Sequence, residues 1–300
     1  LNPDVIVFLN VFRDQLDRYG EIDTVVKNWS QALKNIPPST QLLVNGDDAN
    51  ILKLASCFKG KIQKFGVKDY KITGESVQKP KEKEHLDFEA KDVKLKGLSG
   101  SAFQLYIVNS TLYINLPLPG IYHIYDFLAA FAAGTYLGLK PEQMISSLKD
   151  FQPAFGRVEK LPFGYIFLIK NPAGASQVFG TIAPNLKPND ALLLALNDNL
   201  ADGTDVSWIW DADFEKLKPV TCNLKTICSG TRAFDLAVRL KYAGLDPKLI
   251  LVESNLNKAL KEATSGLEGQ LFILPTYTAM LELQSILTKA GIKKHYWKEA

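Results

Sequence analysis

Five short apolar runs recur through the second half of this 300-residue chain, at residues 165–169, 191–196, 225–228, 249–252 and 270–274. Each is too short for a helix and mostly apolar, as strands buried on both faces are. Segments with helical period follow them, at 175–184, 212–217, 232–242, 256–264 and 278–290. Such alternation leaves few folds open. Parallel strands need crossover connections, and crossover helices cover both faces of the sheet. The expected fold class is therefore α/β, with a Rossmann-like doubly wound sheet in this half whose ligands gather at the carboxyl ends of the strands.

The first half starts similarly. Val5, Ile6, Val7, Phe8 and Leu9 form a strand-like run, followed by a polar stretch and a helical pattern at Val25, Val26, Trp29 and Leu33. The strand signal returns at 41–45, and Asp47 and Asp48 offer a helix N-cap ahead of Ile51, Leu52, Leu54 and Ala55. Residues 59–117 alternate apolar and polar side chains and read as antiparallel strands, with an exposed charged loop at 79–84. A buried helix is expected at 121–137, ended by Gly138, and a second at 142–150, opened by Pro141. The stretch 151–157 reads as a hinge with a boundary near residue 155, giving domains 1–153 and 154–300. A Leu at position 1, so close to a strand, reads as a cut inside a longer protein.

Composition removes several function classes. The net charge of +3 is the remainder of 35 basic and 32 acidic residues, too small a field to draw nucleic acid or an anionic membrane. A small-molecule substrate or a protein partner fits better. The three cysteines, Cys57, Cys222 and Cys228, make neither a metal spacing nor a disulfide framework, which suits a reducing cytosol. His85, His123 and His295 stand in no spacing relation to one another or to a cysteine, so zinc and a Ser-His-Asp nucleophile are not expected. No apolar run spans a bilayer, and the expected location is cytoplasmic, peripheral to a membrane at most.

The loops after the strands hold the chemistry-bearing residues. Lys170, Asn171, Pro172, Ala173 and Gly174 shape a turn into a helix whose N–H groups suit an anion, or serve as an ordinary βα turn. Residues 198–213 carry Asp198, Asp202, Asp205, Asp211 and Asp213 interleaved with Trp208 and Trp210, many for a connector. Either this loop meets something that covers it, or it is a solvated turn sealed by its Trp pair. Ser229, Gly230, Thr231 and Arg232 suit phosphate or carboxylate, with a structural salt bridge as the alternative for Arg232. Thr276 and Thr278 cap the final helix. Near the N-terminus, Asp14 and Asp17 are candidate ligands for Mg2+ through water, or partners in Asp–Arg pairs.

Four motifs together carry a family resemblance. Residues 10–21 resemble the segment after a central-domain strand that bears an Asp-His-Leu-Asp-type motif, and Asn45, Gly46, Asp47 and Asp48 resemble an Asn-x-Asp-Asp turn. Residues 118–130 resemble a Gly-x-x-Asn-x-x-Asn-x-x-Ala-Ala motif whose asparagines approach adenine, with His123 and Asp126 standing in their places. Gly156, Arg157, Val158 and Glu159 match a Gly-Arg-x-Glu hinge. These are motifs of the Mur ligase superfamily, and with the acidic Trp loop the whole chain resembles its MurT branch. The phosphate-binding Gly-x-x-x-x-Gly-Lys-Ser/Thr loop and the four-cysteine ribbon of that branch are absent from the chain.

The resemblance implies a subunit of a glutamine-hydrolysing carbon–nitrogen ligase of peptidoglycan synthesis. It implies ATP-dependent activation of the D-glutamate α-carboxylate of lipid II, and ammonia from a GatD-type glutaminase partner with a Cys-His dyad. ATP and Mg2+ would both need an N-terminal segment outside this chain, so the piece by itself is expected to be inactive. Asp211, and after it Asp205, would complete the partner's dyad as a triad. Lys170, Asn171, Ser229, Thr231 and Arg232, with Asn45, His123 and Asp126, would face nucleotide or substrate, and Arg157 would link the domains. Another Mur-type amino-acid or folate-type glutamate ligase and a non-catalytic scaffold stay open as rivals.

Overall fold

A computed structural model describes residues 2–14, 20–68, 80, 85–108, 110–151, 156–218 and 224–293. The chain divides into two compact units, Leu1–Phe151 and Gln152–Ala300. Residues 152–155, where the sequence suggests a boundary, and Asp17, Cys222, His295 and the charged stretch 81–84 lie outside the described residues.

The first unit is built on one six-stranded sheet in the order β1-β2-β3-β4-β5-β6. Its strands are β1 (Val5–Phe8), β2 (Gln41–Asn45), β3 (Lys61–Val67), β4 (Phe88–Leu95), β5 (Ser101–Ile107) and β6 (Ser110–Leu116). β1 to β4 run parallel, and β5 and β6 complete an antiparallel edge. The antiparallel reading of 59–117 is thus correct for β4 to β6 and wrong for β3, which joins β2 in parallel. Period-two alternation tells which side chains share a face and says nothing of strand direction.

β2 shows what the alternation decides. Leu42 and Val44 face a core built with Val26 and Leu33 of α1 (Ile22–Leu33) and Ile51 and Leu54 of α2 (Ala49–Ala55). Leu43 faces the opposite core, filled by Phe127, Leu128 and Phe131 of α3 (Ile121–Tyr136). α3 is followed by a short α4 (Pro141–Ser146) and one 3-10 turn in place of the single helix expected over 142–150.

Asp48 is the N-cap of α2 and is fully buried. Its Oδ1 accepts from the N–H groups of Asn50 and Ile51 at 2.8 and 3.3 Å, and Oδ2 accepts from Val11 N–H at 2.9 Å. One carboxylate thereby pins the chain leaving β1 to the start of α2. Burial pushes its pKa above the usual carboxylate value, against the lowering by those three N–H groups. Asp48→Asn would keep the cap oxygen but turn an amide donor toward the Val11 N–H. The expected cost is about 1–3 kcal/mol, checked by urea unfolding.

The second unit carries the sheet order β11-β10-β9-β12-β8-β7. Its strands are β7 (Glu159–Leu161), β8 (Gly164–Ile166), β9 (Ala191–Ala195), β10 (Lys225–Ser229), β11 (Ile250–Val252) and β12 (Leu271–Pro275). All neighbours are parallel except the short edge strand β7, which the sequence does not announce. The helices are α5 (Pro172–Ile182), α6 (Ala233–Tyr242), α7 (Leu256–Thr264) and α8 (Tyr277–Lys289). Leu193 and Ile273 meet Ala259 and Leu260 of α7 and Met280 and Leu283 of α8 in one core. The helix expected at 212–217 is a 3-10 turn, Phe214–Leu217, preceded by another at Ser207–Trp210.

Candidate functional site

In this sheet β9 leads to β10 on one side, while β12, last in the chain, inserts on the other. The loops after β9 and β12 therefore lie side by side at the carboxyl ends, the place where doubly wound sheets bind ligands. The side chains there form one hydrogen-bonded network. Thr276 Oγ1 accepts from Asn197 N–H at 3.0 Å, and Asn197 Oδ1 accepts from Thr231 N–H at 3.0 Å. Asn197 Nδ2 and Asn199 Nδ2 donate to Thr278 Oγ1 at 3.0 and 2.8 Å. Buried Asp202 accepts from Thr278 N–H at 2.8 Å and from its hydroxyl at 2.5 Å. The start of the acidic loop is thus fixed onto the N-terminus of α8.

Arg232 stands between two acids. Its Nε and Nη2 donate to Asp235 at 2.8 and 3.0 Å, and Nη1 donates to Asp198 at 3.2 Å. Thr231 Oγ1 donates to Asp198 Oδ1 at 2.8 Å. The Thr231 hydroxyl and then Arg232 hold the Asp198 carboxyl below the usual range, and Arg232 does the same for Asp235. With both carboxyls held below their ordinary range, they stay ionised and this ion-pair network persists at neutral pH. Ser229 Oγ reaches Ser254 O at 3.4 Å. Gly230 takes φ +90°, where a Cβ would come within 2.4 Å of Leu196 O and 2.6 Å of Asn197 Oδ1. Gly230→Ala is expected to destabilise the unit by roughly 1–3 kcal/mol, read as a lower thermal midpoint.

On the neighbouring strand, the N–H of Ile169 donates to Pro275 O at 2.9 Å, so the turn after β8 opens beside the end of β12. Lys170 is exposed there, while buried Asn171 caps α5 by accepting from Gly174 N–H at 2.7 Å. The sheet therefore gathers Lys170, Asn171, Ser229, Thr231 and Arg232 along one edge. Arg157 is exposed near the amino end of β7.

The acidic Trp loop is held from beneath by a residue not singled out above. Arg239 of α6 is buried, donating to the carbonyls of Ile209 and Ala212 and to Glu215, each at 2.9 Å. Its guanidinium carbon lies 5.1 Å from the Phe214 ring and 5.5 Å from that of Trp210. The signal was an arginine between Leu236 and Leu240 on the buried face of α6, where a charge needs partners. Asp205 is exposed and accepts from Ser207 N–H at 2.8 Å; the Ser207 hydroxyl and N–H keep its carboxyl below the usual range. Asp211 is half-buried, directly after half-exposed Trp210.

In the first unit a cavity of about 340 Å³ is lined by His123, Asp126, Phe127, Phe131, Met144 and Phe151, among other apolar groups. His123 Nδ1 donates to Pro119 O at 2.6 Å, which fixes its tautomer, and its ring lies 4.2 Å from that of Tyr122. A largely apolar cavity with three polar side chains, His123, Asp126 and Ser147, suits a flat heterocycle. Asn45 is buried, its Oδ1 accepting from Asp47 N–H at 2.9 Å. Asp47 in turn accepts from Tyr125 Oη at 2.6 Å and Val67 N–H at 2.7 Å. Among the described residues no three acidic, His or Cys side chains cluster as a metal site, and Asp14 stands without a described Asp17 beside it.

Residues 1–134 match the profile of the Mur ligase middle domain, and residues 168–280 that of the MurT ligase C-terminal domain. The subunit MurT of lipid II isoglutaminyl synthase (glutamine-hydrolyzing) of Streptococcus pneumoniae is 30% identical, over 97% of this chain and 71% of its own length. A pseudomurein peptide ligase type C from Methanothermus fervidus superposes with a TM-score of 0.69 at 19% identity, covering 96% of this chain and 64% of that one. Mycobacterium tuberculosis folylpolyglutamate synthase, complexed with ADP and AMPPCP, superposes with a TM-score of 0.66 at 18% identity, over 98% of this chain and 64% of that one. The chain thus spans somewhat less than two thirds of those two ligase structures. Among the described residues no helix is long and apolar enough to cross a membrane.

Proposed function

Since the chain belongs to the MurT family of Mur-type ligases, we propose that the full-length protein amidates the D-glutamate α-carboxylate of lipid II, using ammonia from a GatD-type glutaminase. The acidic Trp loop carries this reading: Arg239 and Asp202 fix its two ends on the scaffold, while Asp205 and Trp210 stay exposed. A loop so built presents carboxylates to a second protein without having to order them on binding.

The proposed chemistry has two steps. The carboxylate oxygen of D-glutamate takes the γ-phosphoryl group of ATP, giving an acyl phosphate and ADP. Ammonia then attacks the carbonyl carbon, inorganic phosphate leaves, and the nitrogen loses a proton to give the carboxamide. In the second unit, Lys170 and the N-terminus of α5 are groups that attract anionic oxygens. Ser229, Thr231 and Arg232 shape the adjoining edge, where the charge of Arg232 is taken up by Asp198 and Asp235. His123 and Asp126 line the cavity proposed for the nucleobase. Mg2+ would neutralise phosphate charge when bound; of its proposed ligands only Asp14 lies among the described residues.

The test is an assay of the full-length protein with the glutaminase, lipid II, ATP and glutamine, following the product by mass spectrometry. Conversion of one carboxylate to a carboxamide is expected. A product enlarged by an amino acid, with no need for the glutaminase, would instead assign an amino-acid or folate-type ligase.

A further inference from the structure

The polar side chains that line the cavity of the first unit are all of one kind. They are His123 and Asp126, one turn apart on α3, and Ser147, on the 3-10 turn after α4. What each can offer a ligand follows from its chemistry and its other bonds. The Nδ1 proton of His123 goes to Pro119 O at 2.6 Å, so the neutral ring has only the Nε2 lone pair to give. Asp126 is exposed and presents carboxylate oxygens, which accept and do not donate. Ser147 Oγ donates to Met144 O at 2.8 Å, which leaves its lone pairs. As side chains, these three are therefore acceptors alone.

Such a lining discriminates between the two purines. Phe127 and Phe131 also line the cavity and suit the flat face of either base, so the polar groups decide. Adenine carries one amino group set between two bare nitrogens, N1 and N7. A carboxylate accepting from that amino group brings its second oxygen against a lone pair. Guanine instead presents N1–H and the N2 amino group side by side, and a carboxylate accepts from both at once. The second proton of the amino group is left for another acceptor.

We propose that this cavity is a guanine-accepting site, with Asp126 as the residue that sets the base preference. A guanine nucleotide then binds there at least as tightly as an adenine one, and GTP can take the place of ATP. The inference rests on the function proposed above and changes only the base of its phosphoryl donor. The γ-phosphoryl group passes from GTP to the D-glutamate carboxylate oxygen, giving the acyl phosphate and GDP.

Calorimetry with the full-length protein would compare GDP, ADP and inosine diphosphate, which keeps N1–H but lacks the 2-amino group. The Kd for GDP is expected to equal or fall below that for ADP, and inosine diphosphate should bind about 10-fold more weakly than GDP. Asp126→Asn replaces one acceptor with an amide donor at an exposed position, so an unchanged thermal midpoint is expected. It should shift the ratio of the two Kd values toward adenine on the order of 10-fold or more. GTP should also drive amidation of lipid II in the presence of the glutaminase. If ADP binds about 10-fold or more tightly than GDP, the inference is overturned, while amidation driven by ATP keeps the proposed function. If GDP binds but Asp126→Asn leaves the ratio as it was, other groups read the base and the proposal is again overturned. If the wild type binds neither diphosphate, the nucleotide-dependent reading fails and takes this inference with it.

Discussion

Replacing Asp211 and Asp205 together with asparagine is expected to cut glutamine-driven amidation by about 10³- to 10⁴-fold, the scale seen when the acid that orients a catalytic histidine is neutralised. Amidation from added ammonia should be almost unchanged, because the ATP-dependent step does not pass through this loop. Asparagine keeps the shape of aspartate. At 205 its side-chain oxygen still accepts from Ser207 N–H, and at 211 the backbone N–H still donates to Trp208 O at 3.1 Å. The substitution thus removes charge and leaves the fold of the loop. Asp211 should account for most of the loss in the single variants, with Asp205 second. Full glutamine-dependent activity in the double variant would remove the idea of a triad completed across subunits.

The second large effect is on stability. Glu159, at the start of β7, accepts from Lys293 Nζ at 2.5 Å and Gln284 Nε2 at 2.7 Å through one oxygen, and from Gly156 N–H at 2.6 Å through the other. The two charged side chains are 11% and 10% exposed, so the pair is largely shielded from water. Glu159→Ala strips the shielded Lys293 ammonium of this carboxylate and is expected to cost about 3–5 kcal/mol. That corresponds to a fall in thermal midpoint on the order of 10 °C for a unit of this size. A Glu159→Ala, Lys293→Met double variant should recover part of the loss, since the ammonium beside the deleted carboxylate is then removed as well. Were Glu159→Ala to unfold within about 0.5 kcal/mol of wild type, the pair would be a surface contact in effect. The same carboxylate also steadies an unusual backbone. Gly156 and Val158 have φ of +77° and +57°, and for a β-branched valine that costs energy which nearby contacts must offset.

Local signals in the chain were enough for most elements of the second unit. The runs 191–196, 225–228 and 270–274 became β9, β10 and β12, and 256–264 became α7, because apolar periodicity and capping residues act over a few positions. β7 was not legible: three residues paired at a sheet edge have no period of their own. Nor was the direction of β3, which depends on where a distant segment places it. The polar loops could be picked out as polar, but their internal commitments could not. Arg232 reads as a phosphate binder or a salt bridge in sequence, and only the approach of Asp198 from another loop, 34 positions away, shows it paired with acids on both sides.

The amino-acid sequence by itself therefore determined the strand and helix order, the α/β class and the acidic Trp loop as the place of interest, since these follow from periods and turn chemistry within short windows. The tertiary structure alone decided that Asn197, Thr231, Asp202 and Thr278 share one network, that Arg239 holds the loop, and that α6 leaves Phe234, Val238 and Tyr242 in solvent. Those facts depend on burial and on pairings between distant residues. A local pattern shows only that a helix has two faces; which neighbours cover each is set by the packed sheet.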